Sequence, residues 1–251
     1  MRGGAGRGRE SAVLEICVQD AAGIAAAVEG GADRIELCSA LELGGLTPSA
    51  ALVARAVATG IAVHAMVRPR AGSFVHDADE VALIADEIVR MRALGAAGVV
   101  VGALREGGRL DTDALARFRD AARDMAIVLH RAIDVTPDPL AAVEQACGLG
   151  YDKILTSGGE LRAADGAATI ARMVQAAQGR LSVIAGAGVN AGNVAALIRR
   201  TGVREVHSSA SAPGPEPNAR SLAMGFAVRG RRVTSASVIR RLRDAIEEDV
   251  E

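Results

Sequence analysis

The sequence contains very few aromatic residues: in 251 residues there is no Trp, one Tyr and three Phe. Half of the residues are nevertheless apolar, so a sizeable core has to be built mostly from Ala, Val, Leu and Ile. The formal net charge of −1 gives no electrostatic reason for binding to nucleic acid or to an anionic membrane surface. We therefore expect neither nucleic acid nor membrane among the partners of this chain.

Long apolar runs are also absent. No stretch approaches the roughly 20 unbroken apolar residues that a membrane-spanning helix needs. The N-terminal "MRGGAGRGRE" is charged and glycine-rich, with no apolar segment behind it, and we expect residues 1–11 to form a disordered basic tail. Because the three cysteines are an odd number and no secretory leader is predicted, we expect reduced thiols and a cytoplasmic location.

Two kinds of segment alternate along the rest of the chain. Short, β-branched apolar runs are separated by amphipathic segments that begin at a polar residue and end near a glycine. In "TPSAALVARAVATG", for example, Thr47 is the predicted N-cap, Pro48 takes the first helical position and Gly60 ends the helix. The apolar runs cover residues 14–17, 34–38, 62–67, 98–101, 126–130, 153–156, 182–185 and 205–208.

This alternation predicts parallel strands joined by helices, and near-continuous apolar strands predict a sheet covered on both faces. Eight such units in a chain of this length favour a single-domain α/β fold, a (β/α)8 TIM-type barrel, over an open doubly wound sheet. No Gly-x-Gly-x-x-Gly motif follows the first strand, which argues against a dinucleotide-binding domain. We expect the barrel to span residues 12–251, with a long loop over 211–234 and a C-terminal helix over 235–249.

Polar residues of the kinds used in catalysis concentrate at the carboxyl ends of the predicted strands, where barrels of this class place their active sites. Three of the four histidines belong to this set. The candidate catalytic residues are Glu15, Glu36, His64, His130, Arg131, Asp134 and His207. The candidate substrate-binding residues are Arg68, Arg70, Thr156, Ser157, Gly186, Gly188, Ser208 and Ser209.

Side-chain alternation puts Glu15 and Cys17 on one face of the first strand, and Glu36 and Cys38 on one face of the second. If these strands pair near register, the two cysteines are neighbours and so are the two glutamates, although barrel shear can slide the register. Facing carboxylates need positive partners, either in a structural ion-pair network or in a clamp for an anionic substrate. The candidate partners are Arg68, Arg70 and Arg131.

The ends of the last three strands are rich in small residues: "TSGG", "AGAGV" and "HSSA". Loops after strands seven and eight commonly bind phosphate in this fold through free backbone N–H groups. The alternative is that these glycines only form tight turns. On the fifth strand, alternation aligns His130 with Asp134 and places Arg131 on the opposite face.

Eight sequence segments, in this order, are typical of one protein family: "LEICV", "GGADRIELCSALELGGLTPS", "VRPRAGSF", "GALREGGRLD", "HRAID", "ILTSGG", "AGAGV" and "VHSSA". From Leu14 to Ala210 the chain resembles the CutC family, the copper homeostasis protein family. The resemblance implies a (β/α)8-type barrel, a cytoplasmic setting, homo-oligomers (a dimer or a tetramer) and an association with copper, chiefly Cu(I). It also implies that Cys17 and Cys38 match the cysteines proposed as copper ligands, and thiolates suit Cu(I).

Three functions are compatible with these patterns, and in two of them a metal ion or a small anionic ligand is the partner. The first is copper homeostasis, with Cu(I) bound at the barrel mouth. The second is a TIM-barrel enzyme of lyase or isomerase type acting on a small phosphorylated or carboxylated metabolite, with His130 or Glu36 as the general base. A Schiff base is not expected, because Lys153, the only lysine, begins the sixth strand at the opposite end of the barrel. The third is a scaffold with a vestigial site.

Overall fold

The computed structural model describes residues 11–248. Eight parallel strands close into a barrel in chain order, and the first strand pairs with the eighth. This confirms the predicted (β/α)8 TIM-type barrel. Of the predicted basic tail, residues 1–10 lie outside the described residues. The strands are β1 (Val13–Val18), β2 (Arg34–Leu37), β3 (Ala62–Met66), β4 (Gly98–Val101), β5 (Ala126–Leu129), β6 (Lys153–Thr156), β7 (Ser182–Ala185) and β8 (Glu205–Ser208).

Helices surround the barrel, and polar caps determine where several of them begin. Asp77 and Glu80 form a reciprocal capping box. Ser49, and not Thr47, caps the second helix, because the Thr47 hydroxyl is bonded to the backbone of Arg68. The helices are α1 (Ala21–Gly30), α2 (Ala50–Val57), α3 (Ala78–Ala93), α4 (Thr112–Ala122), α5 (Pro139–Gly148), α6 (Ala167–Ala177), α7 (Val194–Thr201), α8 (Ala219–Ala223) and α9 (Ala236–Glu247).

The segment between β8 and α9, predicted as one long loop over 211–234, contains regular structure. Strands β9 (Ser211–Pro213) and β10 (Arg232–Thr234) pair in an antiparallel ribbon, and α8 lies between them. The last helix is shorter than the predicted 235–249, of which residue 249 lies outside the described part. No helix within residues 11–248 has the length and apolar character required to cross a membrane.

Apolar packing is divided between two clusters, since successive strand residues point alternately outward and inward. The outward-facing residues pack against the helices and form the main core, with Leu14, Ile35 and Phe118 fully buried. Inside the barrel the apolar cluster is small, so much of the interior is left to polar side chains. Its members are Cys38, Met66, Val100, Val128, Leu155 and Ile184.

Candidate functional site

The pairing of β1 with β2 determines which interior side chains meet. Cys17 lies opposite Glu36, and Glu15 lies opposite Arg34. The near-register pairing predicted from the sequence is therefore wrong by two residues: Cys17 does not face Cys38, and Glu15 does not face Glu36. The physical reason is the stagger that neighbouring strands need in order to close a barrel.

Four charged residues in the barrel interior form a continuous set of ion pairs, the buried network of Glu15, Arg34, Lys153 and Glu205. Arg34 donates from Nε to Glu15 Oε2 and from Nη2 to Glu205 Oε2, both at 2.5 Å. Lys153 Nζ donates to Glu205 Oε1 at 2.5 Å. Burial raises the pKa of Glu15, but the hydrogen bond from His207 and the charge of Arg34 outweigh it and hold that pKa far below its usual value. Glu15 is thus ionised at neutral pH.

The prediction that distant arginines neutralise these carboxylates is wrong for Glu15. Arg34 does so, because it lies on the inward face of β2, two residues before Glu36. Sequence reasoning also missed Glu205, which precedes His207 by two residues on β8. The alternation rule that aligned Glu36 with Cys38, applied to the start of β2 and to β8, would have found both residues. The predicted partners were Arg68, Arg70 and Arg131.

His64 and His207 border the buried network and differ in charge. His207 Nδ1 lies 2.8 Å from Glu15 Oε1. Burial alone lowers the pKa of His207, but the charge of Glu36 and the hydrogen bonds to Cys17 and Glu15 raise it well above its usual value. His64 lies farther from Glu15, at 3.7 Å from Nδ1 to Oε2, and burial lowers its pKa to about 4. His207 is therefore cationic and His64 neutral at pH 7.

Above the buried network, Cys17, Glu36 and His207 form what we call the Cys–Glu–His cluster. One ligand atom from each residue lies within 4.8 Å of the others. All three side chains are buried, and Glu36 Oε1 has no hydrogen-bond partner among residues 11–248. Thiolate sulfur, imidazole nitrogen and carboxylate oxygen are the donors that proteins use for zinc and for copper. The donor set and the unpartnered oxygen fit a metal ion.

Cys38 does not belong to this cluster. Its Sγ donates a hydrogen bond to Glu36 Oε2 at 3.5 Å, and the side chain is fully buried in the interior apolar cluster. Burial, followed by the charge of Glu36, raises the pKa of the Cys38 thiol well above its usual value. Cys38 would have to lose this proton in order to bind a metal ion. In this structure Cys38 serves as a hydrogen-bond donor to Glu36, and the Cys17–Cys38 ligand pair stays a prediction.

A cavity of about 260 Å³ lies at the carboxyl ends of the strands, and the Cys–Glu–His cluster forms part of its lining. Phe74, from the loop after β3, is a lining residue that sequence reasoning missed. Glu15 and His64 are absent from the lining. The predicted site residues that do line the cavity are Cys17, Glu36, Arg68, His130, Arg131, Gly188, His207, Ser208 and Ser209.

Arg131 and Asp134 lie close together, although strand alternation predicted them on opposite faces of the fifth strand. The fifth strand ends at Leu129, and the residues that follow form a 3₁₀ turn over Arg131–Val135, so alternation no longer applies there. Arg131 donates from Nε to Asp134 Oδ2 at 2.7 Å. Asp134 also accepts from Thr156 Oγ1 at 2.5 Å and from Ser157 Oγ at 2.9 Å. These hydrogen bonds tie the end of β5 to the end of β6.

The remaining predicted residues lie around the cavity and have packing roles. Arg70 is half-exposed, forms an ion pair with Glu80 at 2.5 Å and is not part of the lining. A Cβ at Gly186 would come within 2.7 Å of Leu155 Cδ1, so Leu155 would have to shift to admit a side chain there. Gly188 lines the cavity with a φ of 72°, a conformation that favours glycine.

The fold and this interior define a class: (β/α)8 barrels with paired charges inside and, at the mouth, buried Cys, Glu and His side chains that lie close together. The model of the CutC family matches residues 12–212. A CutC family protein of Agrobacterium fabrum is 47% identical over 232 residues, which cover 92% of each chain. One of Sinorhizobium medicae is 45% identical over 235 residues, covering 94% of this chain and 96% of the relative.

A solved structure supports membership of the same family. The copper homeostasis protein CutC of Streptococcus agalactiae superimposes with a TM-score of 0.76 and 29% identity, and the match covers 79% of this chain and 98% of that one. The chain belongs to the CutC family, as its sequence motifs predicted.

Proposed function

We propose that this protein binds Cu(I) as cargo in copper homeostasis, through the Cys–Glu–His cluster at the barrel mouth. The observation that supports this is the convergence of the Cys17, Glu36 and His207 ligand atoms within 4.8 Å. A structural relative is named as a copper homeostasis protein. The proposal differs from the sequence prediction in its second ligand, which is His207 and not Cys38.

The surroundings of His207 suit this role. Glu15 Oε1 lies 2.8 Å from Nδ1, so Nδ1 keeps its proton and Nε2 is the nitrogen left for a metal. Metal-binding histidines commonly donate their other N–H to a carboxylate, which fixes the tautomer and the ring orientation. Since a ligand must lose its proton to bind, uptake of metal releases a proton from the imidazolium of His207. Cys17 would supply the soft thiolate that Cu(I) prefers.

An anaerobic Cu(I) titration against a chromophoric Cu(I) chelator tests the proposal. Substituting a residue that only hydrogen-bonds to a metal ligand weakens metal binding roughly 10–100-fold. Cys17→Ser and His207→Gln replace proposed ligands, so each should weaken Cu(I) binding by more than that. Cys147→Ser is the matched control and should bind nearly as the unsubstituted protein does. Cys38→Ser alters a hydrogen bond to Glu36 and should weaken binding by no more than roughly 10–100-fold. If Cys38→Ser loses affinity as Cys17→Ser does, the cysteine pair predicted from the sequence holds the metal. Unchanged affinity in Cys17→Ser overturns the site altogether.

Two further expectations stay predictions. All three cysteines are free thiols, and a cytoplasmic location would keep Cys17 reduced. Homo-oligomer formation follows from the family resemblance, and light scattering coupled to size-exclusion chromatography measures it directly.

A further inference from the structure

Besides the Cys–Glu–His cluster, the cavity lining contains two buried N–H groups that have no partner. Arg68 is 6% exposed and His130 is 4% exposed. Arg68 Nε and His130 Nε2 make no hydrogen bond within the described residues, although both side chains line the cavity. Buried polar groups are nearly always paired, so two unpaired donors in one cavity indicate a ligand.

Arg68 is held rigidly through its other nitrogens. Nη1 donates to the carbonyl oxygens of Leu43 at 2.9 Å and Gly45 at 3.2 Å, and Nη2 donates to Gly72 O at 3.0 Å. These bonds brace the loops after β2 and β3 and leave Nε–H unused. No carboxylate of residues 11–248 forms an ion pair with Arg68. A buried cation without a counter-ion is costly, and an anionic ligand would remove that cost.

His130 supplies a neutral donor. Its Nδ1 accepts a hydrogen bond from Ala132 N–H at 3.1 Å, so the ring proton lies on Nε2. Burial and the nearby charge of Arg68 lower the pKa of His130 to about 3. The ring therefore stays an N–H donor at neutral pH and adds no second positive charge.

Phe74 packs against both donor side chains. Its ring centroid lies 4.8 Å from that of His130, and the guanidinium carbon of Arg68 lies 5.0 Å from the same centroid. Both donors thus contact one aromatic ring at the cavity wall. A polar ligand there would meet groups whose orientation is already determined by packing and backbone hydrogen bonds, which lowers the entropic cost of binding.

We propose that this cavity binds a small carboxylate, one oxygen of which accepts from Arg68 Nε–H and the other from His130 Nε2–H. Two N–H donors match the two oxygens of a planar carboxylate. A single negative charge balances Arg68, because Arg131, the other arginine of the lining, is already paired with Asp134. A phosphate dianion would bring a second charge close to the carboxyl of Glu36 in the same cavity. A volume of about 260 Å³ limits the ligand to few atoms.

Ligand-detected NMR on metal-free protein tests the proposal. The probes are acetate and pyruvate, their neutral isosteres acetamide and pyruvamide, and inorganic phosphate observed by ³¹P line broadening. EDTA is avoided during metal removal, because it carries carboxylates itself. We expect saturable binding of a carboxylate with a Kd in the millimolar range, because a ligand of so few atoms can form only a few contacts. Its amide should bind at least about tenfold more weakly, because it lacks the negative charge.

Two variants assign the donors. His130→Asn keeps an acceptor for Ala132 N–H, because Oδ1 replaces Nδ1, but removes the Nε2 donor; Arg68→Lys keeps the charge but removes Nε–H. Each should weaken carboxylate binding about tenfold or more, the usual cost of a lost hydrogen bond to a charged group. Arg70→Lys is the matched control, because Arg70 lies outside the lining, and it should bind as before.

The outcomes separate this proposal from the one on Cu(I). Carboxylate binding should persist in Cys17→Ser, since neither donor belongs to the Cys–Glu–His cluster, whereas Cu(I) binding should not. Equal binding of pyruvate and pyruvamide, or of phosphate in place of any carboxylate, overturns the carboxylate assignment. Absence of saturable binding up to about 50 mM, or wild-type affinity in both donor variants, overturns the site itself.

Discussion

Two regions of the barrel interior hold charges in opposite ways. In the buried network, Glu15, Arg34 and Glu205 are joined by hydrogen bonds of 2.5 Å. In the mouth cavity, Glu36 Oε1, Arg68 Nε and His130 Nε2 have no partner among the described residues.

The difference shows what each set of charges does. Paired charges can maintain a fold, whereas unpaired buried polar groups lower stability unless a ligand completes them. Residues at functional sites commonly trade stability for binding in this way. The predictions below test whether the two regions differ as described.

Arg34→Met should have the largest effect, because it leaves Glu15 and Glu205 buried without their shared cation. Breaking a buried ion pair in this way costs about 3–5 kcal/mol, measured as the free energy of unfolding in urea. The control is Arg240→Met, which removes a solvent-exposed ion pair with Glu29 and should cost about 1 kcal/mol or less. Similar losses in both variants would mean that the network contributes no more than a surface pair.

Glu15→Gln and Glu36→Gln should change stability in opposite directions at pH 7. Glu15 is ionised and paired with Arg34 and His207, so its neutral replacement should cost about 2–3 kcal/mol. Burial raises the pKa of Glu36, so ionising it costs free energy, and Glu36→Gln should raise the free energy of unfolding. Loss of stability in Glu36→Gln would show that its charge is satisfied as fully as that of Glu15.

The stability gap between the wild type and Glu15→Gln should depend on pH. The pKa of Glu15 is lowered on folding, so its contribution is fully present above the unfolded-state pKa of about 4.3. It is lost as pH falls through the folded-state value. Urea midpoints measured from pH 7 downward should therefore show a constant gap to about pH 5 and a narrowing gap below it. A gap that widens on acidification would contradict the sign of this shift.

Cysteine substitutions outside the Cys–Glu–His cluster should have the smallest effect. Cys147 is half-buried in α5, and Cys147→Ser should alter the free energy of unfolding by about 0.5 kcal/mol at most. Cys38→Ala removes a buried thiol and its hydrogen bond to Glu36, and should cost about 1 kcal/mol. Thermal melts of both variants, compared with the wild type, give the two values.

Much of the fold was predictable because its signals are local. The predicted runs 98–101, 153–156, 182–185 and 205–208 have the bounds of β4, β6, β7 and β8, since apolar β-branched runs stop where polar or glycine residues begin. The fifth run was too long by one residue. His130 leaves the strand there, because its imidazole caps the following turn by accepting from Ala132 N–H.

The site was predictable only in part. That Cys17, Glu36 and His207 point into the barrel follows from alternation along each strand. Alternation does not predict that Cys17 meets Glu36 and His207. These contacts depend on the stagger between strands. The braced conformation of Arg68 likewise depends on carbonyl groups from two loops that no local pattern brings together.

The amino-acid sequence alone determined the order of strands and helices, the family, and the set of side chains that face the interior. Those features rest on periodicity and on short motifs, each contained within a few neighbouring residues. Closure of the barrel decided which interior polar groups are paired and which have no partner among residues 11–248. That choice depends on register between strands far apart in the chain, which is set only when all eight strands satisfy their backbone hydrogen bonds together.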